Sequence, residues 1–256
     1  MNDSALFAYV QARLQARHGQ RPDDTLWRRL QSVGDLASYI HIARKTKLRP
    51  WILGLHATQG SHAIELSLRR QFRTYVDDIS HWLPGSRGVA IRWVKRLPDL
   101  PALQQLLTTE SVPVWILDDP ALRAFGSENP TVRAEAMRNS DCACLLRAWN
   151  RGQTLDEGWF EYWQSQWPDN ARHKAGLAYL GRLMKLHVQV LRSQSGRSSD
   201  RQRETLARHL LVAFRRYSFQ PAVVYAHLAL TALDLERLRG DLARRALFPE
   251  STDTHS

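Results

Sequence analysis

The chain has 256 residues, 43% apolar and 24% charged, which excludes disorder over its length and allows one large domain or two small ones with a real core. Its 13 Gly and 11 Pro are too few for a turn-rich all-β fold, and two cysteines cannot build a disulfide framework, so a reducing compartment fits best. The net charge of +11 is unevenly placed: residues 1–107 hold 16 Lys and Arg against 8 Asp and Glu, residues 108–170 hold 5 against 10, and residues 171–256 hold 15 against 7.

Helix signals dominate in chain order. Arg44-Lys45-Thr46-Lys47-Leu48-Arg49 sets four cations at an expected helix end, where they also offset the macrodipole. Ser61 reads as the cap of a helix whose apolar positions Ile64, Leu68, Phe72, Tyr75, Ile79 and Trp82 recur every three or four residues, and Pro84-Gly85 closes it. Val112-Pro113-Val114-Trp115-Ile116-Leu117 is the one β-like run, and its proline would confine it to an edge. Asp119-Pro120 and Asn129-Pro130 each read as a cap followed by proline at the first helical position. Thr154 to Glu157 fits a capping box, in which each side chain satisfies the other residue's unpaired amide.

Two long helices are expected near 171–194 and 201–217, joined through Gly196-Arg197-Ser198-Ser199-Asp200. Pro221 then opens a terminal helix with Val224, Leu228, Leu235, Leu238 and Leu242 on one stripe. Leu230 and Leu233 lie off that stripe, so its first half should be buried more widely. Asp234–Arg237, Glu236–Arg239 and Asp241–Arg244 are spaced to lace its outer face. The expected fold is all-α, a multi-helix bundle over 1–248 with a subdivision at 1–107, 108–170 and 171–248 left open, and a disordered tail at 249–256.

Chemistry-bearing motifs are sparse. Neither GxxxxGK[ST], GxGxxG, HExxH nor GxSxG occurs. His56 and His62 are the nearest approach to a ligand pair and read as surface histidines. Cys142 and Cys144, two apart on a helix, point in different directions and read as buried small residues. Asp77-Asp78 and Asp118-Asp119 are adjacent carboxylates, which diverge by about 100° on a helix rather than converge on a substrate. Trp159, Trp163 and Trp167 fall on one helix face. A core stripe is the better reading, because Asp156, Glu157 and Glu161 would repel the phosphates of any base stacked there. No catalytic residue, cofactor or metal is expected. The longest apolar stretch, Ala222 to Leu235, is interrupted by His227 and Asp234 and falls short of the roughly 20 residues of a membrane span. No secretory signal opens the chain.

The opening Tyr9-Val-Gln-Ala12-Arg13-Leu14 is followed by Leu26-Trp27 with Leu30, by Asp35-Leu36 with Tyr39, and by Ile64-Glu65 with Leu68 and Phe72. Trp93 precedes Asp99-Leu100-Pro101-Ala102-Leu103 with Leu106-Leu107, and the end carries Tyr217, Phe219, Pro221, Tyr225 and Asp234-Leu235-Glu236-Arg237-Leu238-Arg239. Taken in order, these segments resemble the rotor-cap (C/d) family of V-type and A-type ATPase subunits. Two departures stand. The chain is shorter than is usual for the family, with the shortfall around 110–200, and Pro101-Ala102 stands where the family has an Asn-Leu pattern.

The resemblance implies a non-catalytic helical subunit, shaped as a funnel-like cap of repeated bundles, between a membrane rotor ring and a central stalk. It would be cytoplasmic and held at the membrane through those partners, in a machine that moves ions or protons. Charge placement, rather than the family, selects Arg44, Lys45, Lys47, Arg49, Arg237, Arg239, Arg244 and Arg245 as a candidate partner surface. The alternative is a basic helical module that binds nucleic acid through the two arms.

Overall fold

A computed structural model describes residues 3–168, 170–193 and 199–248. Among them every regular element is helical and no strand occurs. Residues 196–198 of the expected turn and the tail 249–256 lie outside the described residues. The chain forms two compact units, Met1–Tyr75 with Asp169–Ser256, and Val76–Pro168.

The first unit is built from α1 (Asp3–Gly19), α2 (Asp24–Gln31), α3 (Leu36–Ala43), the short α4 (Arg49–Ile52), most of α5 (Ser61–Ser80) and three long helices. Those three are α12 (Ala171–Ser193), α13 (Ser199–Arg216) and α14 (Pro221–Leu247), and they pack on one another and on α1. Leu6, Phe7, Val10 and Leu14 give α1 a stripe at three- and four-residue steps, all buried. In α14 the expected stripe is buried at all five positions. Its first half is covered more widely, Ala222, Val223, Ala226, His227, Leu230 and Thr231 being buried as well. Gly176 lets α12 close on the start of α14, since a Cβ there would lie 2.9 Å from that of Ala222.

Side-chain caps fix where the short helices begin. Asp23 accepts from Leu26 N at 2.8 Å to start α2, and Asp35 accepts from Ser38 N at 2.8 Å to start α3. Those amide bonds hold the Asp35 carboxyl below its ordinary range. At α5 the helix starts at Ser61 itself, and it is the Gly60 carbonyl that accepts from Ile64 N.

The second unit holds α6 (Ser86–Arg92), a 3₁₀ segment (Trp93–Asp99), α7 (Leu100–Thr108), α8 (Val114–Asp118), α9 (Pro130–Arg138), α10 (Ala143–Asn150) and α11 (Leu155–Ser165). The capping box is present: Thr154 Oγ1 accepts from Glu157 N, and Glu157 Oε2 accepts from Thr154 N at 2.8 Å. Asn129 caps α9 as expected, with Pro130 at its first position. Of the three tryptophans expected on one helix face, two belong to the core, while Trp167 lies beyond the end of α11 and is half-buried. Trp159 and Trp163 are buried with rings 5.9 Å apart, and Trp93 and Trp159 each donate their indole N–H to the other's carbonyl, at 3.2 and 3.3 Å. Gly158 brings α11 onto α10, since a Cβ there would lie 2.5 Å from that of Ala148.

Two local expectations are corrected. The β-like run folds into α8: Pro113, at φ −61°, stands at its N-cap, and no described strand offers a ladder to join. Asp119-Pro120 opens only a turn leading to the 3₁₀ segment Arg123–Phe125, because the buried Asp119 side chain accepts from Ala121 N.

Candidate partner-binding face

The first unit carries 27 Lys and Arg against 13 Asp and Glu, and the second 9 against 12. The cationic excess of the whole chain therefore sits on one helical unit, which also holds all eight residues selected from charge placement.

The structure sorts those eight. Lys45, Lys47, Arg49, Arg239 and Arg244 are exposed. Lys47 Nζ stands 4.0 Å from the Asp23 carboxylate and Arg239 3.7 Å from that of Glu65, loose contacts that leave both cations solvated. Arg44 is half-buried and donates to the Leu55 carbonyl, which closes the 44–55 segment back on α3. Arg237, also half-buried, stacks over the Trp27 ring with its guanidinium carbon 4.7 Å from the centroid. Helix α2 thus brings the two groups together, with Lys47 beside its capping Asp23 and Arg237 over Trp27 in its first turns.

Arg245 is a correction: it is only 3% exposed and belongs to no surface. Its Nε donates to Val33 O at 2.8 Å and its Nη2 to Leu30 O at 3.1 Å, so it satisfies the carbonyls at the end of α2. Its Nη1 donates to Asp241 O at 2.8 Å, and its guanidinium carbon lies 4.4 Å from the Tyr39 ring centroid. Tyr39, which donates to Asp241 Oδ2 at 3.2 Å, has its phenol pushed well above the ordinary value by burial and then by the Asp241 charge.

A second group of polar side chains ties α14 to the segment that follows α1 and to α5. Arg21 grips Asp234 with two N–H donors, Nε to Oδ2 at 2.7 Å and Nη2 to Oδ1 at 2.9 Å. Burial raises the Asp234 carboxyl, and Arg21 opposes that rise. His227 is fully buried, its Nε2 2.7 Å from Tyr75 Oη. Burial foremost, then the His18, Arg21 and Arg17 charges, lower its imidazole from 6.5 to about 3, so it is neutral in the fold. His18 stacks on Phe214 at 4.3 Å and is lowered by the same causes in kind. In the sequence His227 and Asp234 signal themselves only as polar interruptions of an apolar run. Which helices they engage is a tertiary fact that periodicity does not carry.

In the second unit the polar core is Arg96, whose Nε and Nη2 fork onto Asp141 at 3.0 and 2.6 Å while Nη1 donates to the fully buried Asp99 at 3.2 Å. Cys142 beside it is buried, and its thiol is pushed up to about 12, chiefly by desolvation. Cys144 is half-buried with its thiol raised for the same reason. Of the adjacent carboxylates, Asp77 pairs with Lys95 at 2.9 Å while Asp78 is exposed, and Asp119 is buried while Asp118 is exposed. His56 and His62 are both exposed. Among the described residues no three His, Cys, Asp or Glu side chains gather as a metal site would need, and no helix is long and apolar enough to cross a membrane.

These features define, among the described residues, an all-helical chain of two compact units whose buried charges join helices and which leaves Lys45, Lys47, Arg49, Arg239 and Arg244 exposed on one of them. Comparison with protein-family models, curated proteins and solved structures finds no match for it.

Proposed function

We propose that the chain is a non-catalytic helical subunit of a V-type or A-type ATPase, linking the membrane rotor ring to the central stalk, or a shortened relative that serves as an assembly or adaptor subunit. One observation carries the reading. The opening and terminal segments that bear the family resemblance pack together in one unit through Arg21–Asp234, Tyr39–Asp241 and Arg245, and Lys45, Lys47, Arg49, Arg239 and Arg244 stay exposed on that unit. A helical body whose buried ion pairs join its helices, and whose exposed cations are at most loosely paired, suits rigid docking onto acidic protein surfaces. On this reading the subunit is cytoplasmic, held at the membrane through its partners, and requires no cofactor of its own.

The test is affinity capture of the tagged chain from detergent-solubilised native membranes at moderate salt, with nuclease present, followed by mass spectrometry. Recovery of ring or stalk subunits supports the reading, and their absence sinks it. The concentration of 27 cations on one unit favours a second reading, nucleic-acid binding. That alternative predicts an affinity falling steeply with salt, and a captured complex that nuclease removes.

A further inference from the structure

Between α13 and α14 the chain turns through Tyr217, Ser218, Phe219 and Gln220. Phe219 has φ +62°, a left-handed backbone that other described residues adopt only at glycine. Side-chain crowding makes that conformation unfavourable for a bulky L-residue, and glycine or asparagine is its usual occupant at a helix end. A buried ring would offset the strain, yet Phe219 is 56% exposed. The backbone is held by other groups: Phe219 N donates to Oε1 of the buried Gln11 at 3.3 Å, and Tyr217 packs against Gly176 and lies 5.7 Å from Tyr179. The fold therefore spends backbone strain to hold an apolar ring in water, an arrangement typical of functional positions.

The surroundings indicate what covers the ring. Arg215 and Arg216 precede it, both exposed and neither paired with a carboxylate among the described residues, and Val212 one turn earlier is 55% exposed. An exposed aromatic ring with two exposed guanidinium groups close by in sequence matches the residue types enriched at protein interfaces. A single-stranded nucleic acid would want further exposed aromatic faces for successive bases, whereas Tyr217, two residues before Phe219, is half-buried against Tyr179 and Gly176. We infer that the α13–α14 turn is a docking point at which Phe219 enters an apolar slot, edged by carboxylates, on a partner protein, with Arg215 and Arg216 engaging those carboxylates. This rests on the proposed role as a subunit of a protein assembly, but not on that assembly being an ATPase.

The experiment places the photo-crosslinker p-benzoylphenylalanine at position 219 in the full chain expressed in its native cells. After irradiation, adducts are identified by mass spectrometry and the crosslinked segment mapped. The expected result is an identified protein joined through a segment containing acidic residues. The purified partner should then bind F219N at least about tenfold more weakly, with a similar loss for R215E/R216E. F219N should melt no lower than wild type, because asparagine tolerates the left-handed backbone. No adduct, an adduct only to nucleic acid, unchanged affinity of both variants, or a lowered melting temperature of F219N would each overturn the inference. An adduct to a protein unrelated to ATPases would uphold it while refuting the ATPase reading.

Discussion

Arg245 lies across the face of Tyr39, 4.4 Å from its centroid, while its N–H groups close the end of α2. A cation chosen from sequence as part of an outer surface is thus a pin between α14, α2 and α3. Lysine at this position keeps the charge but loses the planar fork that reaches several carbonyls at once. R245K should destabilise the chain by about 2 kcal/mol and R245A by about 3 to 5 kcal/mol in urea denaturation. Neither change should weaken partner binding of the folded protein.

Arg21 and Asp234 form a mostly buried pair, so removing one partner leaves the other charge uncompensated. R21M is expected to cost about 3 to 5 kcal/mol, and R21M/D234L to recover most of that loss. A double-mutant cycle on thermal or urea unfolding checks this. Additive losses would show that the two side chains do not act as a unit.

His227 sets an acid limit. The unfolded chain takes up its proton near pH 6.5 and the fold only near 3, so the unfolded state binds more protons throughout that window. Stability should be full above the upper value and fall as the pH drops, by about 2 kcal/mol near pH 5 from this residue. The imidazoles of His18 and of His187 on α12, both lowered chiefly by burial, act in the same direction, and the raised Asp234 carboxyl acts against it. H227Q keeps a hydrogen-bonding group for Tyr75 but cannot titrate, so its stability–pH curve should be flatter between pH 6.5 and 5.

Gly158 sits where α10 and α11 touch. G158A would force its new methyl against Ala148, at a cost of about 1 to 3 kcal/mol. Helix propensity alone predicts the opposite, a gain of up to about 1 kcal/mol, so the sign of the change in unfolding midpoint distinguishes close packing from propensity.

The features legible in the sequence are local or periodic. The Thr154–Glu157 capping box, the Asn129 cap, the Trp159–Trp163 core stripe and the buried positions of α14 depend on spacings of three or four residues, which the sequence displays directly. Features that depend on distant partners are not legible there. The spacing of Asp234 suggests a pair with Arg237 along its own helix, but Arg21 grips it, and Arg245 resembles its solvated neighbour Arg244 until α2 is placed beside it. Residues 112–117 mislead for another reason: β-branched residues suggest a strand, yet Pro113 suits a helix start equally well. Of the candidate face, five of eight positions are exposed, because charge density in sequence does not say which cations the fold consumes.

The role of the cationic face is tested most directly by quantitative binding of the chain to its captured partner complex, comparing wild type with K45E/K47E/R49E/R239E/R244E. All five positions are exposed, so the variant should fold with a melting temperature close to that of wild type. If the face binds the partner, the variant loses capture of ring and stalk subunits at moderate salt. Undiminished capture by the folded variant would refute that role.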